Sequence, residues 1–464
     1  MRHLLRGAVL AMALAIVTAC AVGPHYRRPQ FDATASYKEQ DGWKPSEPGE
    51  AGSSGPWWRI FNDAALDELE RQIDISNENV KAAAAAFEEA QALVSQARAG
   101  FWPLVSATGS RQRTVMGSAP PHTTNRAGVA ANWDLDIWGQ IRRSTESRRA
   151  SAQASAAALA AARLSAQAAL ASDYFELRAQ DQLQTLLSDI VAAQERSLKI
   201  AENRYRVGVA AKADVVSAQT QLLSSQAQQV NAKIQRAVLE HAIAVLLGQQ
   251  PAAFSVQAAT MRSDVPTVPP GLPSTLLERR PDIAEAERRV AAANAQIGVA
   301  RSAFFPSLTL SGSGDYTGGT LAKLIRTSNR VWAFGPALAQ TVFDGGLRRA
   351  QAAQARAAYE LSVDTYRQTV LAGFEQVEDE LVTLRVLEQQ ASIEDAAVKA
   401  AREAENLTLN QYKAGTVPYS SVIAAQTTRL NTEETALTVL VDRLTASVAM
   451  IEAVGGGWNA SQLR

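Results

Sequence analysis

The chain is poor in almost everything a catalytic or metal site is built from. Its 464 residues hold one cysteine and four histidines. A single cysteine, Cys20, excludes a disulfide framework and a dithiol site. His3, His25, His122 and His241 are scattered without ligand spacing. No GxSxG, HExxH, Walker loop or Cys-x-x-Cys is present, so the chain reads as a non-enzyme without cofactors. Its formal net charge is zero and it has no basic tract, which argues against a nucleic-acid partner. Beyond the first twenty residues no run of ~18 apolar residues occurs, so no transmembrane helix is expected. Aromatics are scarce, and alanine dominates the hydrophobic fraction. Such a composition favours helix and lets helices approach closely.

What is present begins with an address. Arg2 and Arg6 precede an apolar run, Ala8 to Val17, too short to span a bilayer and of the right length for a secretory signal. It ends in Val17-Thr18-Ala19-Cys20, which resembles the lipobox of bacterial lipoproteins. That implies a signal peptide over 1–19, cleavage before Cys20, and acylation of its thiol with palmitate. Ala21 follows the cysteine, where an Asp would imply inner-membrane retention. Residues 20–60 read as a lipidated tether rich in Pro, Gly and Ser.

The rest is a duplication. Asn203-Arg-Tyr-Arg-Val-Gly208 returns as Asn410-Gln-Tyr-Lys-Ala-Gly415, and Ala218-Gln-Thr220 as Ala425-Gln-Thr427. Gly139 pairs with Gly346 and Leu223 with Leu430, each 207 residues apart. Loops tolerate length changes, so a constant offset marks length-matched helical elements. The repeats are read as 61–272 and 273–464. Each carries a hairpin of strands (104–137 and 307–343) and a long helical hairpin (139–247 and 346–453). A helix at 281–303 precedes the second pair of strands.

The strands show period-two alternation. Ala127, Val129, Ala131, Trp133, Leu135 and Ile137 alternate with small or acidic residues; Trp332, Phe334 and Leu338 do the same. Transmembrane strands show this pattern, apolar toward lipid and polar toward a lumen, though a soluble sheet can too. Trp102, Trp133, Trp138, Tyr316 and Trp332 stand where an aromatic girdle would lie. Asp134 and Asp136 are read as lumen-lining. Arg142, Arg143, Arg148, Arg149, Arg348 and Arg349 are read as solvated helix starts rather than a phosphate site. From Gly139 to Arg206 there is no proline or interior glycine, and from Leu347 to Lys413 only Gly373. Helices of ~67 residues are about 100 Å long at 1.5 Å per residue, so coiled-coil rods are expected. Leu183, Leu186 and Ile190, and Leu371, Phe374, Val377, Leu381, Leu384 and Leu387, supply their apolar seams. Return helices follow over 214–247 and 420–453. Four strands cannot close a barrel, and open edges cannot exist in lipid. Transmembrane strands would therefore require an oligomer of 8, 12 or 16 strands.

Further residues carry a family resemblance. Pro273-Ser-Thr-Leu-Leu-Glu-Arg-Arg-Pro-Asp-Ile283 continues through Ala284-Glu285, Ala293-Asn294, Ile297-Gly298 and Phe305-Pro306-Ser307-Leu308. With Trp57-Trp58, Phe61, the lipobox and the Tyr-x-x-Gly turns, these resemble the TolC/OprM-like outer-membrane efflux lipoproteins of NodT type. The resemblance runs from about Cys20 to the C-terminus. It implies a mainly α fold with a membrane β-barrel: a homotrimer whose twelve strands close in the outer membrane above a helical periplasmic tube. It implies the exit duct of a tripartite pump, with a periplasmic adaptor and an inner-membrane transporter as partners. The hairpin tips Val207-Gly208 and Ala414-Gly415 would meet the adaptor. Tyr412 matches the family's gate tyrosine and Asp214 a gate aspartate. Val417 stands in place of the gate arginine, and Ser421 and Ala424 in place of aspartates, so that gate's cross-subunit salt bridge does not carry over. Closure would rest on Tyr412, Asp214 and apolar contacts near Val417, with Tyr205 packing. Drug or other small-molecule export leads. Metal or protein export, or a surface-anchored coiled-coil structural protein, are the alternatives.

Overall fold

The computed structural model describes residues 21–31, 34, 36–39, 56–268 and 273–463. The signal peptide and Cys20 lie outside them. Helices α1 (Ala64–Ser76) and α2 (Glu78–Ala99) precede strands β1 (Leu104–Thr114) and β2 (His122–Asp134). Helices α3 (Gln140–Arg206) and α4 (Lys212–Leu246) complete the first repeat. The second runs α5 (Pro273–Arg279), α6 (Pro281–Ser302), β3 (Ser307–Gly318), β4 (Arg330–Ala339), α7 (Leu347–Ala414) and α8 (Tyr419–Ala453). The long helices α3 and α7 have 67 and 68 residues. One 18-residue window of α3 reaches a mean hydropathy of 1.2, the weight of its alanines. The chain divides into two units, one of Met1–Phe31, Ala85–Ala156 and Ala284–Thr369, the other of Asp32–Ala84, Ala157–Ile283 and Val370–Arg464.

The first unit holds one antiparallel sheet in the order β1-β2-β3-β4. Residues directly opposite share a face, so the register sorts the side chains. Ala107, Val129, Gly314 and Trp332 lie in one row, and Val105, Ala131, Gly312 and Phe334 in the next. Trp133, Leu310, Leu308 and Leu338 continue that face. Val105, Val129, Trp133, Trp332, Phe334 and Leu338 are exposed on it in the single chain, and Leu308 and Leu310 are half-buried. The band ends at Arg111 beside Asn125 and at Arg330 beside Tyr316. The opposite face carries Ser106, Thr108, Asn132, Ser311, Ser313 and Asp315. Glycine here makes room: a Cβ on Gly128 would collide with the carboxylate of Asp315. The expected alternation is therefore present.

Two expectations at the foot of the sheet are corrected. Strand β2 ends at Asp134, so Asp136 lies beyond it and does not line the polar face. Instead its carboxylate accepts the backbone N–H groups of Ile141 and Arg142, both at 2.9 Å, and pairs with the Arg142 side chain. It satisfies the orphan donors that open α3. Asp344 does the same at α7, accepting from Gly346 N and the Arg348 side chain. Trp138 is not a girdle residue: it stacks on Phe305 at 4.6 Å and donates to the Pro306 carbonyl.

The expected tether is, in its described part, a strap. Val22 N donates to the Trp138 carbonyl, and Arg143 donates to the carbonyls of Val22 and Gly23. Arg143 is buried, not solvated as expected, because these carbonyls and Glu146 surround its guanidinium. Asn294 donates to the Pro24 carbonyl, and Tyr26 to Glu287. Gly23 has φ +113°, and a Cβ there would sit 2.5 Å from Gly298 Cα.

The second unit packs around Ile73, Val80, Leu170, Leu177, Ile243 and Leu247. Trp57, Trp58, Phe61 and Phe175 form a linked aromatic set beside it. The seam of α7 runs through Val370, Val377, Leu381 and Leu384, whereas Leu371 turns outward at 52% exposure. Equivalent arginines on the long helices bind extended segments. Arg178 of α3 donates to the Gln257 carbonyl and pairs with buried Asp181; Arg385 of α7 pairs with Glu39.

Glu70 is fully buried with no hydrogen bond to either carboxylate oxygen. Burial, reinforced by Asp74, pushes its pKa up to about 9. The unfolded chain ionises near pH 4.5, so the folded state bears a growing cost as pH rises from there toward 9. Glu70→Gln is expected to raise the thermal midpoint at pH 7–8, an effect of about 3 kcal/mol, and to change little at pH 4.

Candidate functional site

Both helical hairpins turn in the same way. Helix α3 ends at Arg206, and Gly208 takes φ +79°, with Gly208 N bonded to Tyr205 O and Val209 N to Arg204 O. Helix α7 ends at Ala414, and Gly415 takes φ +81°, with Gly415 N bonded to Tyr412 O and Thr416 N to Gln411 O. This is the Schellman pattern, in which a left-handed residue lets two following N–H groups cap the last carbonyls. Glycine is required at that position because a Cβ is strained there. All four expected docking residues, Val207, Gly208, Ala414 and Gly415, are exposed.

The gate candidates sit between the two hairpins. Tyr412 is 2% exposed and forms a buried cluster with Ala201, Ala218, Tyr419 and Val422. Its ring lies 5.1 Å from that of Tyr419, tilted by 59°. Val417 is half-buried against the same cluster. Asp214, in the first turn of α4, is half-buried beside Tyr412. Burial, with the Asp214 carboxylate, pushes the Tyr412 hydroxyl up, yet the hydroxyl makes no well-formed hydrogen bond. Burial also pushes Tyr419 up to about 12. The fold thus gathers Tyr412, Val417 and Asp214, and the tyrosine contributes chiefly as a packed ring. Tyr205, expected to pack, is 47% exposed in the single chain.

Further residues complete the site. Arg204 donates from Nη1 to the Lys413 carbonyl at 2.8 Å and places its guanidinium carbon 4.9 Å over the Tyr412 ring. Gln426 donates to the Ser197 hydroxyl in the buried interior, one hairpin to the other. Gln426 belongs to the repeated Ala-Gln-Thr stretch; for Arg204 and Ser197, as for Tyr419, the signal in the sequence is the mismatch between repeats. The second-copy equivalents of Arg204, Ser197 and Lys212 are Gln411, Ala404 and Tyr419. Among the described residues no group of three His, Cys, Asp or Glu side chains gathers as a metal site.

Helical hairpins with capped, exposed tips, and a sheet with one apolar face, together define an outer-membrane channel. The outer membrane efflux protein family matches the chain twice, over residues 70–249 and 272–456, and the chain belongs to that family. It is similar to the probable efflux pump outer membrane protein TtgC of Pseudomonas putida, 27% identical over 97% of this chain and 95% of TtgC. It is also similar to the pyoverdine export outer membrane protein OpmQ of Pseudomonas aeruginosa, 30% identical over 88% of each. The structure of the outer-membrane channel OprN superposes with a TM-score of 0.87 at 28% identity, covering 95% of this chain and all of that one. The chain is an efflux channel of the outer membrane.

Tyr412→Ala is expected to cost about 3 kcal/mol, whereas Tyr412→Phe costs under about 1 kcal/mol because the hydroxyl makes no well-formed hydrogen bond, only a loose contact with Asp214. Thermal unfolding followed by circular dichroism checks both; equal losses would overturn the ring-packing account.

Proposed function

We propose that three copies of this chain form the exit duct of a tripartite efflux pump, passing small molecules outward without catalysis. The observation that carries the reading is the four-stranded sheet, with an apolar face and, among the described residues of this chain, no strand beyond β1 or β4. Lipid tolerates no open strand edge, so β4 of one copy meets β1 of the next. The family resemblance selects three copies and twelve strands. A second seam supports copy-to-copy packing: Val216, Leu223, Val230, Val238 and Val245 of α4 repeat every seven or eight residues and are all exposed. That is coiled-coil spacing with a face left open in the single chain.

Acylation of Cys20 anchors each copy to the periplasmic face of the outer membrane. The exposed tips Val207-Gly208 and Ala414-Gly415 dock a periplasmic adaptor, which joins the duct to an energised inner-membrane transporter. The gate is the tip cluster of Tyr412, Asp214 and Val417. Relatives named for efflux and for pyoverdine export support outward transport of small molecules. Five methionines and four histidines, unclustered, do not favour a metal conduit.

The protein purified from outer membranes is expected to migrate as a heat-dissociable trimer and to conduct ions in planar bilayers. Leu223→Asp, which puts a charge in the exposed seam of α4, is expected to lower the trimer's dissociation temperature. A monomer that stays soluble without detergent would sink the reading. Cys20→Ser is expected to abolish incorporation of labelled palmitate.

A further inference from the structure

The two tips are alike in backbone and unlike in what reaches across them. From the first hairpin, Arg204 extends to the second and engages its turn at three points. It donates to the carbonyl of Lys413, the residue before the last of α7. It covers the Tyr412 ring. Its Nη2 lies 3.4 Å from the place a Cβ on Gly415 would take. The last carbonyls of a helix lack intrahelical donors, and a cation at that end is favoured by the helix dipole. A planar guanidinium can do both and stack on a ring at once, which an ammonium cannot.

Among the described residues no charged side chain of the second hairpin returns to the first turn. The repeat equivalent of Arg204 is Gln411, which is exposed and uncharged. Gly208 has no atom within 4 Å of its Cβ position, so the first turn is uncovered. The clasp is also incompletely satisfied. Arg204 Nε is buried without a partner. A buried polar group without a partner is costly, which works against the clasped state.

We infer that Arg204 is a positioning residue for the gate, a one-sided clasp by which the first hairpin holds the second hairpin's turn in the resting state. Opening then begins with the second tip, by loss of the Lys413 and Tyr412 contacts, while the first tip keeps its own cap. This rests on reading the tips as the gate of a conducting duct.

The test uses full-length lipidated protein in planar bilayers, comparing wild type with Arg204→Ala, Arg204→Lys and Arg206→Ala. Loss of a charge-assisted hydrogen bond and its ring contact is expected to raise the ratio of open to closed time about tenfold in Arg204→Ala. Arg204→Lys, keeping the charge but not the stacked plane, is expected to fall between. Arg206→Ala, on the exposed side of the same tip, should match wild type. In Tyr412→Ala, further removal of Arg204 should add less than in wild type. Hydrogen exchange on the same proteins should quicken at 409–419 and stay unchanged at 202–212. Wild-type conduction with an unaltered Arg204→Ala channel would overturn the clasp. Absence of conduction in every protein, wild type included, would instead overturn the duct. If Arg204→Ala fails to assemble, Arg204→Gln carries the comparison, and wild-type gating with wild-type exchange in that variant would overturn the clasp equally.

Discussion

A backbone hydrogen bond that cannot be made in lipid governs this molecule. Each strand offers a row of N–H and C=O groups, and hydrocarbon supplies no water to satisfy them. The order β1-β2-β3-β4 satisfies three interfaces and leaves the outer edges of β1 and β4 without a partner strand among the described residues. The strand pairing that joins the two repeats is β2 with β3. That single weld makes the two hairpins one sheet, and it makes the two ends of the sheet complementary: an upgoing strand at one, a downgoing strand at the other. Antiparallel pairing is compatible with the proposed ring of copies, because β4 of one chain would run opposite to β1 of the next. In that ring the apolar rows through Trp332, Phe334 and Val129 would face outward together, and the serine, threonine and aspartate rows inward.

Duplication supplied the matched parts, and divergence supplied the asymmetry. Where geometry is demanding the copies stay alike: both tips use the same glycine and the same pair of capping bonds. Arg178 and Arg385, equivalent in the two repeats, both bind an extended segment, but the first holds the connector near Gln257 and the second holds Glu39. One ancestral arginine thus serves two different straps. Where one hairpin must hold the other, the copies part. Arg204 faces Gln411 in the other repeat, and buried Tyr419 faces exposed Lys212, so each contact is made from one copy only.

How much of this is legible in the sequence follows from the kind of physics involved. Periodic constraints write themselves into sequence. The alternation of Trp332, Phe334 and Leu338 marks the lipid face, and an offset held from Gly139 to Leu223 marks two helical hairpins. Element ends are less legible, because a carboxylate such as Asp136 reads equally as the last strand residue or as a helix cap; only the backbone decides that β2 stops at Asp134. Leu371 looks like seam and is not, since Val370 takes the inward position one residue earlier. The tip cluster is half legible. Tyr412, Asp214 and Val417 stand out through resemblance, while Arg204 and Tyr419 do not, because they are not among the residues the repeats share. The informative positions are those where the repeats disagree.

The strap is illegible for a further reason. Apart from the Tyr26 hydroxyl on Glu287, residues 21–31 are held largely through their backbone, and a carbonyl is present whatever the side chain. Val22, Gly23 and Pro24 each offer theirs, to Arg143 and Asn294. Only the acceptor side is anonymous; the donors have to be specific, and they lie more than a hundred residues away. Proline and glycine, read as marks of looseness, have the opposite effect here. Pro24 has fewer unfolded conformations to lose, and Gly23 with Gly298 lets the strap lie within contact of helix α6. Ala21 consequently rests against Gly139, one residue from the Trp138 carbonyl that receives Val22 N. Anything attached at that end of the strap would start from the foot of the sheet, which is the level the proposed Cys20 anchor requires.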